Sequence, residues 1–316
     1  MDKSAIIPAI IAFAAQILLC PICIPLLHRL KFGQYIRAEG PKEHQKKAGT
    51  PTMGGIMILI SLTLGVVLYF RFNSQIVAAL LVTWAFGLIG FLDDYIKVVK
   101  KDNEGLKPLQ KWTLQCLVAA LFVVYLWRSG IGTAIEIPFA SFVLDLGILY
   151  YPFAFFLILA FVNGVNFTDG LDGLASGVTV IIAAFFAVVC WGQNSDLLPM
   201  AAAVAGSLLG FLLFNVNPAK VFMGDTGSLA LGGFVSALAL MLRIPLLLVI
   251  VGFIYVLEVV SVVLQVAYFK STHGKRLFKM APIHHHFELS GWKETKVVSV
   301  FVIVTAILCL IGLLAL

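Results

Sequence analysis

Hydrophobic residues in this chain fall in long uninterrupted runs, divided by short charged or Gly/Pro-rich breaks. The runs lie near residues 5–28, 53–70, 76–92, 112–128, 150–165, 174–192, 198–214, 228–242, 245–269 and 297–315. A membrane-crossing helix needs roughly 20 apolar residues. The pattern therefore predicts an all-α polytopic integral membrane protein with about ten transmembrane helices, a single domain over residues 1–316. Between the fourth and fifth runs, residues 132–145 read as two short β-prone segments around Pro138, which predicts a small β-hairpin.

Composition sharpens this picture by exclusion. With 61% hydrophobic and only 12% charged residues, the chain is neither disordered, nor an ordinary soluble enzyme, nor a nucleic-acid-binding domain, so no nucleic-acid partner is expected. The net charge of +6 matters less than its placement. Eighteen of the 22 Lys and Arg residues fall in one alternating set of loops, and Lys3, Arg71, Arg128 and Arg243 in the other. The positive-inside bias puts the basic set in the cytoplasm, so both termini and the hairpin face outward, with membrane lipids as partners. The five cysteines lie in apolar stretches, and an odd count makes no closed disulfide framework. Cys20-Pro21-Ile22-Cys23 has the spacing of a redox motif but sits inside the first run with no βαβ pattern around it, so packing explains it. That run lacks a small-residue cleavage site and ends in His28-Arg29, which predicts a retained helix.

Acidic residues are few, sixteen in all, and Asp93, Asp94, Asp169, Asp172 and Asp225 fall at the basic ends of spans. Carboxylates there are costly to desolvate without a cation or donors to meet them. Asp93 and Asp94 are adjacent, followed by Lys97, Lys100 and Lys101. Two neighbouring negative charges imply a hard divalent ion or a tight lysine cluster. The run Asn163 to Ala175 joins two spans with hardly any loop; its alternating Asn, Asp and Gly either form ordinary turns or offer donors to a small polar ligand at a helix N-terminus. In Asn215 to Ser228, Gly224 and Gly227 permit close approach to phosphate, Asp225 can supply an oxygen to magnesium, and Thr226 or Ser228 can cap the next helix. Phe222 is a stacking platform for a base or a core residue. His284, His285 and His286 cannot all ligate one ion, because successive side chains point roughly 100° apart on a helix; hydrogen bonding to phosphate oxygens fits them better. Glu258 lies mid-span, where it either bonds Ser261 or a neighbouring helix, marks a helix break, or serves function. No Walker A, dinucleotide or His-Glu-x-x-His motif is present. Carboxylates, lysines and histidines in one surface layer suit phosphoryl transfer, which depends on positioning and charge neutralisation.

The segments Lys46 to Gly55, Asp93-Asp94-Tyr95, Asn166 to Ala175, Phe222 to Ser228 and Pro282 to Glu288 closely resemble the phospho-N-acetylmuramoyl-pentapeptide transferases, a branch of the polyprenyl-phosphate N-acetylhexosamine-1-phosphate transferases. The resemblance runs over nearly the whole chain, and its triple histidine and Gly49 to Gly55 loop belong to that branch alone. It implies a bacterial inner-membrane enzyme, working on the cytoplasmic face as a homodimer with Mg2+. The reaction implied moves phospho-MurNAc-pentapeptide from UDP-MurNAc-pentapeptide to undecaprenyl phosphate, giving lipid I and UMP. It further implies Asp225 as metal ligand, Asp93 and Asp94 as the pair that orients or activates the acceptor, and His285 as a catalytic partner. Asn166, Asp169, Gly170, Leu171, Asp172, Asn215 and Phe222 would hold the uridine end. Lys46, Lys97, Lys101 and Lys111, with His284 and His286, would meet phosphates. A sister transferase using UDP-GlcNAc and an anionic-metabolite transporter are the competing readings; a transporter should carry its polar groups near mid-membrane.

Overall fold

The structure is a computed structural model that describes residues 3–29, 47, 49–67, 74–100, 105–140 and 142–316. Twelve helices follow in order: α1 (Lys3–Arg29), α2 (Gly55–Val67), α3 (Ser74–Lys100), α4 (Pro108–Arg128), α5 (Tyr150–Thr168), α6 (Leu174–Gly192), α7 (Leu198–Asn215), α8 (Gly224–Met241), α9 (Pro245–Val251), α10 (Phe253–Ser271), α11 (Ile283–Glu288) and α12 (Glu294–Leu313). Among the described residues nine helices are long and apolar enough to cross a membrane, and α2 is a shorter apolar helix. Between α4 and α5, β1 (Ala134–Glu136) and β2 (Val143–Asp145) pair antiparallel with Ile135 opposite Leu144, which is the expected hairpin around Pro138.

The run 245–269 does not form one helix. It breaks at Gly252 into α9 and α10, at the residue with the weakest helical preference short of proline. The two pieces part company, α9 lying against α12 and α8, and α10 against α5. Lys46 and Lys101 lie outside the described residues. Cys20 and Cys23 sit within α1 without a disulfide, and Cys20 accepts a hydrogen bond from the Gln16 side chain (3.2 Å).

Helix α8 is the post around which the others stand. Every residue from Thr226 to Met241 is buried, and α3, α5 and α2 lie against it. In lipid, apolar contact alone does not drive helices together, so small residues and interhelical hydrogen bonds must. Glycines supply the closest approaches: a methyl group on Gly90 of α3 would land on the carbonyl of Asp225, and one on Gly55 of α2 on the backbone of Gly227. Polar seams add to this. Ser61 of α2 donates to Gln16 Oε1 of α1 (2.6 Å) and bonds Ser207 of α7 (2.6 Å), so three helices share one buried knot. The outer helices turn apolar side chains outward, among them Ile22 on α1, Leu121 on α4, Val263 on α10 and Leu310 on α12. Such rows suit acyl chains rather than water.

Replacing Gly90 with alanine should destabilise the protein by about 1–3 kcal/mol through overpacking. Thermal unfolding of the purified variant in detergent checks this, and a midpoint equal to that of the unsubstituted protein would contradict the contact.

Candidate active site

The N-terminus of α8 lacks a capping side chain of its own, because Met223 stands at the cap position. Asp94, near the end of α3, fills that role from outside. Its Oδ1 accepts from the Asp225 backbone N–H (3.1 Å), and its Oδ2 accepts from the Thr226 N–H (2.9 Å) and hydroxyl (2.7 Å). The carboxylate thus satisfies orphan donors and meets the positive end of the helix dipole. Gly224 takes φ +68° beneath it, and a side chain there would strike the Asp94 carboxylate. Thr226, expected as a possible cap, instead donates to Asp94.

Asp225 then points its carboxylate into the same corner. Its Oδ2 receives Lys111 Nζ (2.6 Å) and Lys97 Nζ (3.1 Å), and its Oδ1 receives Asn166 Nδ2 (2.9 Å), which also donates to Ser228 Oγ (2.9 Å). Asp93, one residue before Asp94, accepts from Lys97 Nζ (2.6 Å) and from the Leu106 N–H (2.9 Å). Helices α3, α4, α5 and α8 therefore meet at one cluster. Ligand oxygens of Asp93, Asp94 and Asp225 lie within 4.8 Å of one another. At that separation each pair of unit charges repels by on the order of 3 kcal/mol at an effective dielectric near 20, more than a surface ion pair returns. Two lysines, Lys97 and Lys111, stand against the three carboxylates. Three hard oxygen donors at such spacing fit a divalent cation.

The turn after α5 divides in two. Asn166 faces Asp225, whereas Asp172 enters a partly buried tie: Lys47 Nζ bonds its Oδ1 (2.7 Å), and Asn217 Nδ2 (3.1 Å) and the Ala219 N–H (3.0 Å) bond its Oδ2. Its own N–H donates to Glu294 Oε1 (2.8 Å), which also receives Lys47 (2.6 Å). Burial first, then the negative charges of Asp225, Asp94 and Asp172, holds the half-buried Asp169 carboxyl well above the usual carboxylate range. Asn215 accepts from Ser176 (2.7 Å) and donates to the Val221 carbonyl (2.9 Å), fixing the loop before α8. In that loop the Phe222 N–H donates to the Pro51 carbonyl (2.9 Å), its carbonyl accepts from Gly54 (2.8 Å), and its ring is half-buried.

The three histidines occupy α11 and take three separate partners. His284 is buried, with Nδ1 3.1 Å from Glu258 Oε1; His285 Nδ1 lies 2.9 Å from Glu288 Oε2; and His286 Nδ1 accepts from the Lys279 N–H (3.1 Å). The Ser261 hydroxyl donates to the backbone carbonyl of Glu258; the carboxylate itself goes to α11. Asp93, Asp94, Asp225, Lys97, Lys111 and Asn166 thus come together. Asp172 and Asn215 hold loops in place, and Gly170 and Leu171 lie in the turn between. Sequence reasoning passed over Lys47, Asn217 and Glu294, although Glu294 stands out as an acid in the first turn of the last helix of a basic segment.

Known proteins resemble this chain along nearly its whole length. Residues 76–243 match the family described as Glycosyl transferase family 4, and residues 47–59 match the phospho-N-acetylmuramoyl-pentapeptide-transferase signature 1. The second match contains the Gly54–Gly55 approach to α8. The chain is 52% identical to the phospho-N-acetylmuramoyl-pentapeptide-transferase of Clostridium novyi (strain NT), over 97% of this chain and 95% of that protein. It is 53% identical to the protein of that name from Acetivibrio thermocellus, over 97% and 94%, and 51% identical to that of Clostridium beijerinckii, over 100% and 98%.

The raised Asp169 carboxyl has a pH signature. The unfolded chain ionises near pH 3.9 and the folded one only at higher pH, so folding stability falls as pH rises through that window. Asp169→Asn should therefore unfold at a higher temperature than the unsubstituted protein at pH 8, with the gap narrowing toward pH 5. A gap that widened on acidification would contradict the assignment.

Proposed function

The chain belongs to the phospho-N-acetylmuramoyl-pentapeptide-transferase family, and from that premise we propose that it moves phospho-MurNAc-pentapeptide from UDP-MurNAc-pentapeptide to undecaprenyl phosphate, giving lipid I and UMP. The observation that carries the reading is the Asp225 carboxylate held between Lys97 and Lys111, against buried Asp93 and Asp94, at the N-terminus of α8. That corner is where anionic groups and cations can exchange partners.

The uridine end occupies the side formed by Asn166, Asp169, Gly170, Leu171 and the Phe222 ring, so the diphosphate extends toward Lys97 and Lys111. Asp225, with Asp93 beside it, would hold Mg2+, which when bound would supply charge neutralisation for the diphosphate. Lys97 and Lys111, which both sit on Asp225, would meet the phosphate oxygens of the diphosphate. The family resemblance also assigns Lys46, Lys101, His285 and His286 to phosphate oxygens.

The acceptor phosphate carries its second ionisation near pH 6 and is already largely dianionic at neutral pH. One of its oxygens attacks the β-phosphorus directly; the new P–O bond forms as the bond to the bridging oxygen breaks, and UMP leaves with that electron pair. Asp93 orients the acceptor and has little proton to remove. The eighteen basic residues of one loop set support an active site on the cytoplasmic face of the bacterial membrane, with both termini outward.

Purified enzyme in detergent, given undecaprenyl phosphate, should release UMP from UDP-MurNAc-pentapeptide but not from UDP-GlcNAc. Release should stop with EDTA and return with Mg2+. Turnover of UDP-GlcNAc alone would transfer the protein to the sister activity. Asp225→Asn should lower the rate by about 10³-fold or more while the variant elutes and melts as a folded protein, and a near-normal rate would remove Asp225 from its role.

A further inference from the structure

Glu258 and His284 form a pair that the reaction outlined above does not use. Glu258 lies on α10 and is fully buried, and His284 begins the triple histidine on α11 and is 1% exposed. Glu258 Oε1 is 3.1 Å from His284 Nδ1. A carboxylate on Nδ1 fixes a hydrogen there in either charge state of the ring, so Nε2 is the one ring atom left to act. Among the described residues neither that Nε2 nor Glu258 Oε2 has a hydrogen-bond partner, although both are buried. Natural proteins seldom leave buried polar atoms unmatched, and those they keep call for a reason.

The surroundings supply one. The His284 Nε2 edge is pressed against Gly170 so closely that a methyl group there would collide with it, and Gly170 lies between Asp169 and Asp172 in the turn assigned to the nucleotide. The same ring meets His285, with centroids 4.1 Å apart. His285 is itself held at Nδ1 by Glu288. One imidazole therefore touches both the turn after α5 and the next histidine, and what fixes its rotation is a carboxylate on a third element.

We propose that Glu258 is a positioning residue for the nucleotide subsite: through His284 it sets the height of the Asp169–Asp172 turn and the orientation of His285. It touches no substrate itself. The break at Gly252 frees α10 from α9, which lets Glu258 approach α11 from a helix that lies against α5, the helix leading into the turn. The inference deepens the nucleotide-sugar reading and rests on it.

The test is steady-state kinetics on Glu258→Gln, Glu258→Asp and His284→Gln, with UMP binding measured by calorimetry. Glu258→Gln should raise the KM for UDP-MurNAc-pentapeptide and the Kd for UMP about tenfold, leave the KM for undecaprenyl phosphate unchanged, and be partly rescued by Glu258→Asp. Combined with His284→Gln it should add nothing, because it acts through that ring. Equal changes in both KM values, or additive effects in the double variant, would overturn the proposal. If the Glu258 variants fail to fold, 15N-histidine solid-state NMR of the unsubstituted enzyme decides: a protonated His284 Nδ1 and an Nε2 resonance that moves on adding UMP support the proposal, and an unmoved resonance defeats it. Absence of UMP release by the unsubstituted enzyme would instead defeat the transferase reading itself.

Discussion

The site depends on a helix end capped by a residue from another helix. Asp94 can reach the Asp225 and Thr226 amides only because α3 crosses α8 at backbone contact, and that contact exists only because residue 90 is glycine. The cap is worth about 1 kcal/mol by itself, yet its geometric effect is larger. It fixes the first turn of α8, and the first turn carries Asp225. Move that turn and Lys97, Lys111 and Asn166 lose their common partner. A structural carboxylate and the metal-directed one are therefore coupled through two residues of backbone.

Charge accounts for the rest of the arrangement. Three carboxylates this close would repel one another strongly, and the protein answers with two lysines from different helices and with amide donors rather than with distance. The result is a corner whose internal ion pairs resemble those a diphosphate and a divalent ion would make. On the proposed reading a diphosphate would swap partners within one cluster instead of desolvating new charge, which suits phosphoryl transfer. Asp172 and Glu294 form a second cluster with Lys47 and Asn217, and it ties the first loop and the start of α12 to the turn after α5.

Much of this was legible in the sequence. Long apolar runs disclosed the spans because lipid forbids unpaired backbone, and the β-prone pair around Pro138 disclosed the hairpin. Asp93, Asp94 and Asp225 stood out because carboxylates at membrane depth need a reason. What the chain order hid were pairings between distant segments. Asp94 reads as half of an acidic dyad and also caps α8, while Asp172 and Asn215, expected as ligand contacts, also bond the loop before α8. The break at Gly252 was hidden by apolar neighbours on both sides, since periodicity does not tell one buried helix from two. Glu258 was visible as an anomaly, but its partner lies 26 residues away on another helix.

The central claim is that the corner of Asp93, Asp94 and Asp225 is the cation and phosphate centre of the enzyme. Anomalous diffraction from crystals grown with Mn2+ tests it most directly. A Mn2+ peak against the Asp225 carboxylate, lost in crystals of Asp225→Asn, is the result expected. A protein that turns over with Mn2+ but binds it elsewhere, with this corner still closed by its lysines, would contradict the account.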